Sequence, residues 1–133
     1  MSNTARKSTG WGEPAVRTVP MPSDSNSNGD IFGGWVLSQM DIAGGIIAGR
    51  RARGRVVTVT IDAMTFDRPI QVGDIVSIYG HVSDVGKTSI TVELETIVQR
   101  QLGEEEIKVT GGHFKFVAID DEGRSRPLPA DEG

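Results

Sequence analysis

The run IFGGWVLSQMDIAGGIIAG, residues 31 to 49, constrains the fold more tightly than any other part of the chain. Val36, Met40, Ala43 and Ile47 recur at the spacing of one helix face, and Leu37, Asp41, Gly44 and Ala48 form the face beside it. A helix so nearly apolar all round persists in water only when other structure wraps it. The wrapping follows Gly54, where the apolar period changes to two. RVVTVTIDAMTF (55–66), DIVSIYGHVSDV (74–85), KTSITVELETIVQR (87–100) and EIKVTGGHFKFVAID (106–120) are rich in Val, Ile, Thr and aromatics, as strands are. In the third, Ile90, Val92, Leu94 and Val98 point one way and Thr91, Glu93, Glu95 and Gln99 the other, so one sheet face is expected to be wet. RTVPM, 17 to 21, reads as a short strand ended by Pro20. Turn residues fall at 68–74, 84–87 and 102–104, and Gly111-Gly112 reads as a bulge. These elements predict an α+β domain in which a long central helix is wrapped by a curved antiparallel sheet of about five strands, the long ones forming a meander.

With 133 residues, the chain can bury one substantial core. The expected organisation is a flexible N-terminal extension over 1–15, one domain over 16–127 and a flexible tail over 128–133. Trp11, in the polar lead, is expected to dock loosely or lie exposed. The turn formers PSDSNSNGD, 22 to 30, are expected to precede and cap the helix.

Several function classes are disfavoured. A formal net charge of −4 argues against a nucleic-acid partner, because duplex binding depends on a surplus of Lys and Arg. The apolar run followed by Arg50, Arg51 and Arg53 has the length of a membrane span. Its five glycines, with Ser38, Gln39 and Asp41, lower its hydrophobicity, and no membrane partner is expected. The absence of cysteine excludes disulfides, thiolate zinc sites and a Cys nucleophile. MSNTARKSTGWGEP has no apolar segment of the kind a secretory signal needs, so a cytoplasmic location is expected. VSDVGKTS, residues 82 to 89, fails as a phosphate-binding loop, since five residues rather than four separate Gly80 from Gly86. It reads as a hairpin turn from which Lys87 can still meet a phosphate. His81 and His113 have neither metal-ligand spacing nor triad context; both are expected on sheet faces, and no metal is expected.

Asp41 is the exception to the helix's apolar character. A carboxylate buried there without a partner would be heavily penalised, so it either bonds to a core group or does chemistry. In an apolar cleft with few waters, it would be a competent base or nucleophile. The loop ending at Gly33-Gly34 presents free backbone N–H groups at the helix start, suited to polarising a carbonyl or holding an anion. The side chains of Asn26 and Asn28 either position a water or do the ordinary work of turns and caps.

MPSDSNSNGDIFGGWVLSQMDIAGG, GRVVTVTIDAMTFDRPIQVGD, VGKTSITV and FKFVAIDDEGRSRPLP resemble the YciA-type acyl-CoA thioesterases of the hotdog-fold superfamily, over about residues 19 to 129. The most specific piece is N-x-x-G-D-I-F-G-G-W followed at fixed distance by Q-M-D. The resemblance implies a hotdog fold whose protomers pair their sheets edge to edge, with active sites at the shared interface and further assembly into trimers of dimers, hence a hexamer. It implies hydrolysis of acyl-CoA to a fatty acid and CoA, with Asp41 as general base on water or as nucleophile. Asn26 would come from the partner subunit, and Gly33 or Gly34 would give the N–H that receives the thioester oxygen. No cofactor is implied beyond CoA as part of the substrate. Lys87, Arg68, Arg124 and Arg126, chosen by charge and position near turns, are expected to hold the CoA phosphates. Asp67, in TFDRP, departs from the family pattern and would weaken Arg68 in that role. The competing reading is a non-catalytic acyl-CoA or lipid-binding protein of the same fold in which Asp41 serves structure. A hotdog dehydratase is disfavoured because those enzymes depend on a helix histidine that this helix lacks.

Overall fold

Helix α1 spans Gly33–Ala52, and its Val36, Met40, Ala43, Gly44, Ala48 and Ala52 are buried, as the apolar spacing requires. The computed structural model describes residues 11–62, 64–100 and 103–131. The expected lead over 1–10, part of the turn at 102–104 and the tail beyond 131 lie outside the described residues. Strands β1 (Val16–Thr18), β2 (Val56–Ile61), β3 (Ile75–Val85), β4 (Ser89–Gln99) and β5 (Glu106–Ala118) form one curled antiparallel sheet around the helix, in the order β1-β3-β4-β5-β2. Ile90, Val92, Leu94 and Val98 of β4 all face the core, as their alternation predicts. β3, β4 and β5 form the expected meander, but β2 runs along the far edge beside β5. The reason lies in the connection from β2 to β3: residues 62–74 are too many for a hairpin turn.

β2 also ends at Ile61, short of the expected Phe66. Met64 turns into the core over Gly112, where a Cβ would stand 2.9 Å from Met64 Cγ. Gly111 and Gly112 are therefore not a bulge; they pair in regular register with Glu95 and Leu94. The register shifts occur between Thr58 and Thr60, between Val82 and Asp84, and between Thr96 and Ile97. A glycine also decides how closely the helix sits on the sheet. A Cβ on Gly44 would lie 2.8 Å from Phe116 Cζ and 3.2 Å from Leu94 Cδ1. Gly44→Val should cost about 2–3 kcal/mol, because the large-for-small change must displace a buried ring. Thermal or urea unfolding measures this, and an unchanged midpoint would show that the helix seat has slack.

The turn formers do not cap the helix as expected. Its N-cap is Phe32, with no side-chain bond. The polar side chains upstream are spent within their own loop: Asp24 Oδ2 accepts from the Met21 N–H, and Asn26 Oδ1 accepts from Asn28 and Asp30 N–H at 2.9 and 3.1 Å. The other end is closed from a distance. Arg53 takes a left-handed conformation, Gly54 N–H donates to Gly49 O, and Arg126 Nη2 donates to Ala52 O at 2.9 Å. Beyond Arg126 the chain stays tied to the domain, with Leu128 N–H donating to Lys87 O and Arg51 Nη1 donating to Pro129 O. Trp11 docks edge-on to the His81 ring, with centroids 4.4 Å apart.

Candidate active site

Asp41 points from the flank of α1 toward β2. Thr58 stands opposite Phe116 on the helix-facing side of β2, and its hydroxyl donates to Asp41 Oδ1 at 2.6 Å. Asp41 is half-buried rather than sealed. β2 is an edge strand, so among the described residues no sixth strand continues the cover over this flank. No ion pair found among the described residues involves Asp41, so no internal Arg or Lys neutralises it. Sequence reasoning does not single out Thr58, because a threonine in VVTVTI is what any strand would carry. Only the pairing with Phe116 selects it over Thr60.

Gly33 and Gly34 occupy the first turn of α1 and are exposed. The N–H groups of Trp35 and Val36 both donate to Phe32 O, whereas those of Gly33 and Gly34 meet no acceptor among the described residues. Packing does not demand glycine here. A Cβ on Gly34 would meet nothing within 4 Å, and one on Gly33 only the Phe66 ring at 3.7 Å. Two open N–H groups at a helix N-terminus, with its partial positive charge, are suited to oxygen that gains negative charge. Asn26 has its Oδ1 committed to the loop, which leaves Nδ2 as the group it can offer a ligand. Asn28 supplies its backbone N–H to that same turn.

One protomer does not bring these parts together. Gly33 and Asp41 are eight residues apart on one helix, which at 1.5 Å per residue is roughly 12 Å along the axis. A single thioester group cannot touch both.

The basic residues fall into two sets. Lys87, Arg124 and Arg126 gather where the β3–β4 turn, the C-terminal segment and the end of α1 meet, tied by Leu128 N–H to Lys87 O and Ile119 N–H to Arg55 O. A cavity of about 340 Å³ opens there, lined by Arg53, Arg55, Asp120 and Arg126 among others. Arg126 is already engaged, because its Nε and Nη2 donate to the carbonyls of Ile119 and Ala52. That arginine therefore helps to close the C-terminal end of the helix. Arg68 lies in the β2–β3 connection, near the opposite end of the helix, where Ile31 N–H donates to Ile70 O.

Depressions of about 310 and 470 Å³ lie elsewhere, over β4 and β5, and Asp41 lines neither. They adjoin a row across the sheet in which His81 Nε2 stands 3.5 Å and His113 Nε2 4.0 Å from Glu93 Oε1. Both histidines are thus sheet-face residues, as expected. Among the described residues no group of three or more His, Cys, Asp or Glu is placed to hold a metal ion, and no helix is long and apolar enough to cross a membrane.

Comparison with known proteins finds matches over most of the chain. The thioesterase superfamily model matches residues 28–102. The acyl-CoA thioester hydrolase YciA of Salmonella typhimurium is 47% identical over 129 residues, covering 95% of this chain and 97% of its own. Among solved structures, the hexameric thioesterase y2039 of Yersinia pestis superposes with a TM-score of 0.86 at 48% identity, covering 90% of this chain and 98% of its own. Cj0915, a hexameric hotdog fold thioesterase of Campylobacter jejuni, gives 0.84 at 42% identity, with 90% and 92% covered.

Proposed function

The chain belongs to the thioesterase superfamily and has its hotdog fold, and from that premise we propose that it hydrolyses acyl-CoA to a fatty acid and CoA in a crevice completed by a second copy. It is an enzyme, a thioester hydrolase. The observation that carries the shared crevice is the separation of roughly 12 Å between Gly33 and Asp41 on a rigid helix. The free edge of β2 supplies the means of closing it, with Val57, Val59 and Ile61 exposed to 41, 47 and 39%. An apolar strand edge of this kind is a template for pairing. Antiparallel pairing of two β2 edges about a twofold axis lays the two helices side by side in opposite directions, so each N-terminus approaches the partner's mid-helix. The same pairing covers the open flank of Asp41.

In that crevice Thr58 holds Asp41 Oδ1, which leaves Oδ2 to take a proton from water as the water oxygen attacks the thioester carbon. The carbonyl oxygen gains negative charge against the partner's Gly33 or Gly34 N–H, with Asn26 Nδ2 beside it. The C–S bond then breaks, and the CoA sulfur leaves with the proton that Asp41 took. Arg53, at the end of α1, lies twelve residues beyond Asp41, or roughly 18 Å. Lys87 and Arg124, beside that end, are therefore the better candidates for the CoA phosphates, ahead of Arg126 and Arg68.

Complementation tests the shared site. Asn26→Asp keeps the Oδ1 acceptor that holds the loop and loses the amide donor; Asp41→Asn loses the base. Each variant alone should be nearly inactive on acyl-CoA. Unfolded and refolded together, they should recover roughly a quarter of the wild-type rate, since half the randomly formed dimers are mixed and each mixed dimer has one intact site. Recovery absent from a refolding-competent mixture would put Asp41 and Asn26 in the same protomer's site. Binding of CoA by a wild type that hydrolyses no acyl-CoA would favour the non-catalytic reading.

A further inference from the structure

Asp74 is a buried carboxylate that the proposed reaction does not use. It is 1% exposed, and its Oδ2 stands 3.1 Å from Arg100 Nη1 and accepts from Gln71 N–H at 2.9 Å. A charge so deeply buried is kept only when it is paired and hydrogen-bonded. Arg100, the residue after β4, uses its other arm as well, donating from Nη2 to Pro69 O at 2.9 Å. Asp74 N–H also bonds back to Gln71 O, and Gly73 between them has φ 92°. Residues 69–74 are thus a closed turn held to the end of β4 by a two-pronged guanidinium.

That turn carries the start of α1. Ile70 O accepts the Ile31 N–H at 2.8 Å, and Asp30 pairs with Gln71 in a short antiparallel bridge. Asp30 and Ile31 lie between the two groups proposed to meet the thioester oxygen. Asn26 N–H donates to Asp30 O at 2.8 Å while its Oδ1 accepts from Asp30 N–H, and Gly33 follows Ile31 by two residues. Phe66, from the same β2–β3 connection, puts its ring 3.7 Å from where a Cβ on Gly33 would stand. The helix start has no side-chain cap, and the loop before it, SDSNSNGD (23–30), brings no apolar side chain to anchor it. Its place on the domain is therefore set by Ile31 and the turn that Ile31 bonds.

We propose that Asp74 and Arg100 are positioning residues for the oxyanion donors: the pair holds 69–71, and 69–71 holds Asn26 and the Gly33 N–H where the thioester oxygen arrives. The inference rests on the hydrolytic reading above and adds a pair that acts through the loop instead of on the substrate. Donors aimed at developing charge are effective only when held in place before the reaction begins. A loosened turn therefore lowers kcat more than it weakens ground-state binding.

Backbone hydrogen exchange, read beside steady-state kinetics on acyl-CoA, tests the pair in Arg100→Gln. Exchange at Ile31 should quicken about tenfold, as loss of a charge-assisted hydrogen bond raises a local opening equilibrium, while the amides of β4 and β5 stay protected. In the folded variant kcat should fall about tenfold with KM within about twofold of wild type. Arg100→Lys keeps a cation beside Asp74 but lacks the planar fork that also reaches Pro69 O, so it should lie between wild type and Arg100→Gln. It carries the test alone if Arg100→Gln does not fold. In the variant that carries the test, wild-type exchange at Ile31 or wild-type kcat overturns the proposal. So does exchange that quickens evenly along the chain, the mark of a pair that only stabilises. A wild type that hydrolyses no acyl-CoA overturns the functional reading instead, and faster exchange confined to the helix start then still upholds the pair's hold on the loop.

Discussion

Asp41→Asn is expected to lower kcat for acyl-CoA hydrolysis by at least about a hundredfold, the contribution of a positioned base, with KM close to wild type. The substitution is nearly isosteric and keeps Oδ1, so Thr58 can go on donating across the 2.6 Å contact that now orients the carboxylate. What is lost is the second oxygen's ability to accept a proton. The fold should not suffer, because Asp41 is only half-buried and has no ion pair among those found in the described residues. Replacing a carboxylate locked onto an internal Arg or Lys would instead strand a buried charge and lower stability. The two readings of Asp41 therefore predict opposite patterns. A catalytic Asp41 gives lost turnover at unchanged melting temperature; a structural one gives a lower melting temperature and retained turnover. Steady-state kinetics beside thermal unfolding separates them, and turnover near wild type in a fully folded variant would end the catalytic assignment.

Parts of this arrangement are legible in the amino-acid sequence alone, and the reasons differ from residue to residue. The helix is legible because its apolar positions run round both sides, and β4 because Ile90, Val92, Leu94 and Val98 alternate cleanly and do face the core. The place of β2 is not legible. A period of two says which face a residue occupies but not which neighbour a strand takes, and β2 leaves its sequence neighbour to pair with β5. That single choice also decides the surroundings of Asp41, since apolar density along a helix does not reveal which flank reaches a sheet edge. Thr58 is hidden for a related reason: its role appears only when β2 and α1 are side by side. The helix start misleads because Asp24 and Asn26 look like caps, whereas their oxygens bond within their own loop and leave the Gly33 and Gly34 N–H groups open. The missing cap bears on the proposed chemistry, since an N-cap side chain at Phe32 would bond the N–H of Gly34 or Trp35, and Gly34 is one of the two donors proposed for the thioester oxygen.

Those open donors allow a second strong test. Gly33→Pro should reduce kcat by roughly a hundredfold to a thousandfold if the Gly33 N–H receives the thioester oxygen, the range seen when one oxyanion donor is removed. Proline is a suitable probe at this position. Gly33 is the first residue of α1, where a proline fits and its missing N–H breaks no helix bond. The residue before it, Phe32, already has φ −58° and ψ 138°, the extended conformation that a following proline favours. The space beside Gly33 is also open, with the Phe66 ring 3.7 Å from where a Cβ would stand. Gly33→Ala is the control, because it adds the same Cβ and keeps the N–H, and it should remain within a few-fold of wild type. Equal losses in both variants would trace the effect to crowding against Phe66. Full activity in a folded Gly33→Pro enzyme would remove Gly33 as the donor and leave Gly34, whose N–H is equally open, as the only one of the pair able to hold the developing charge.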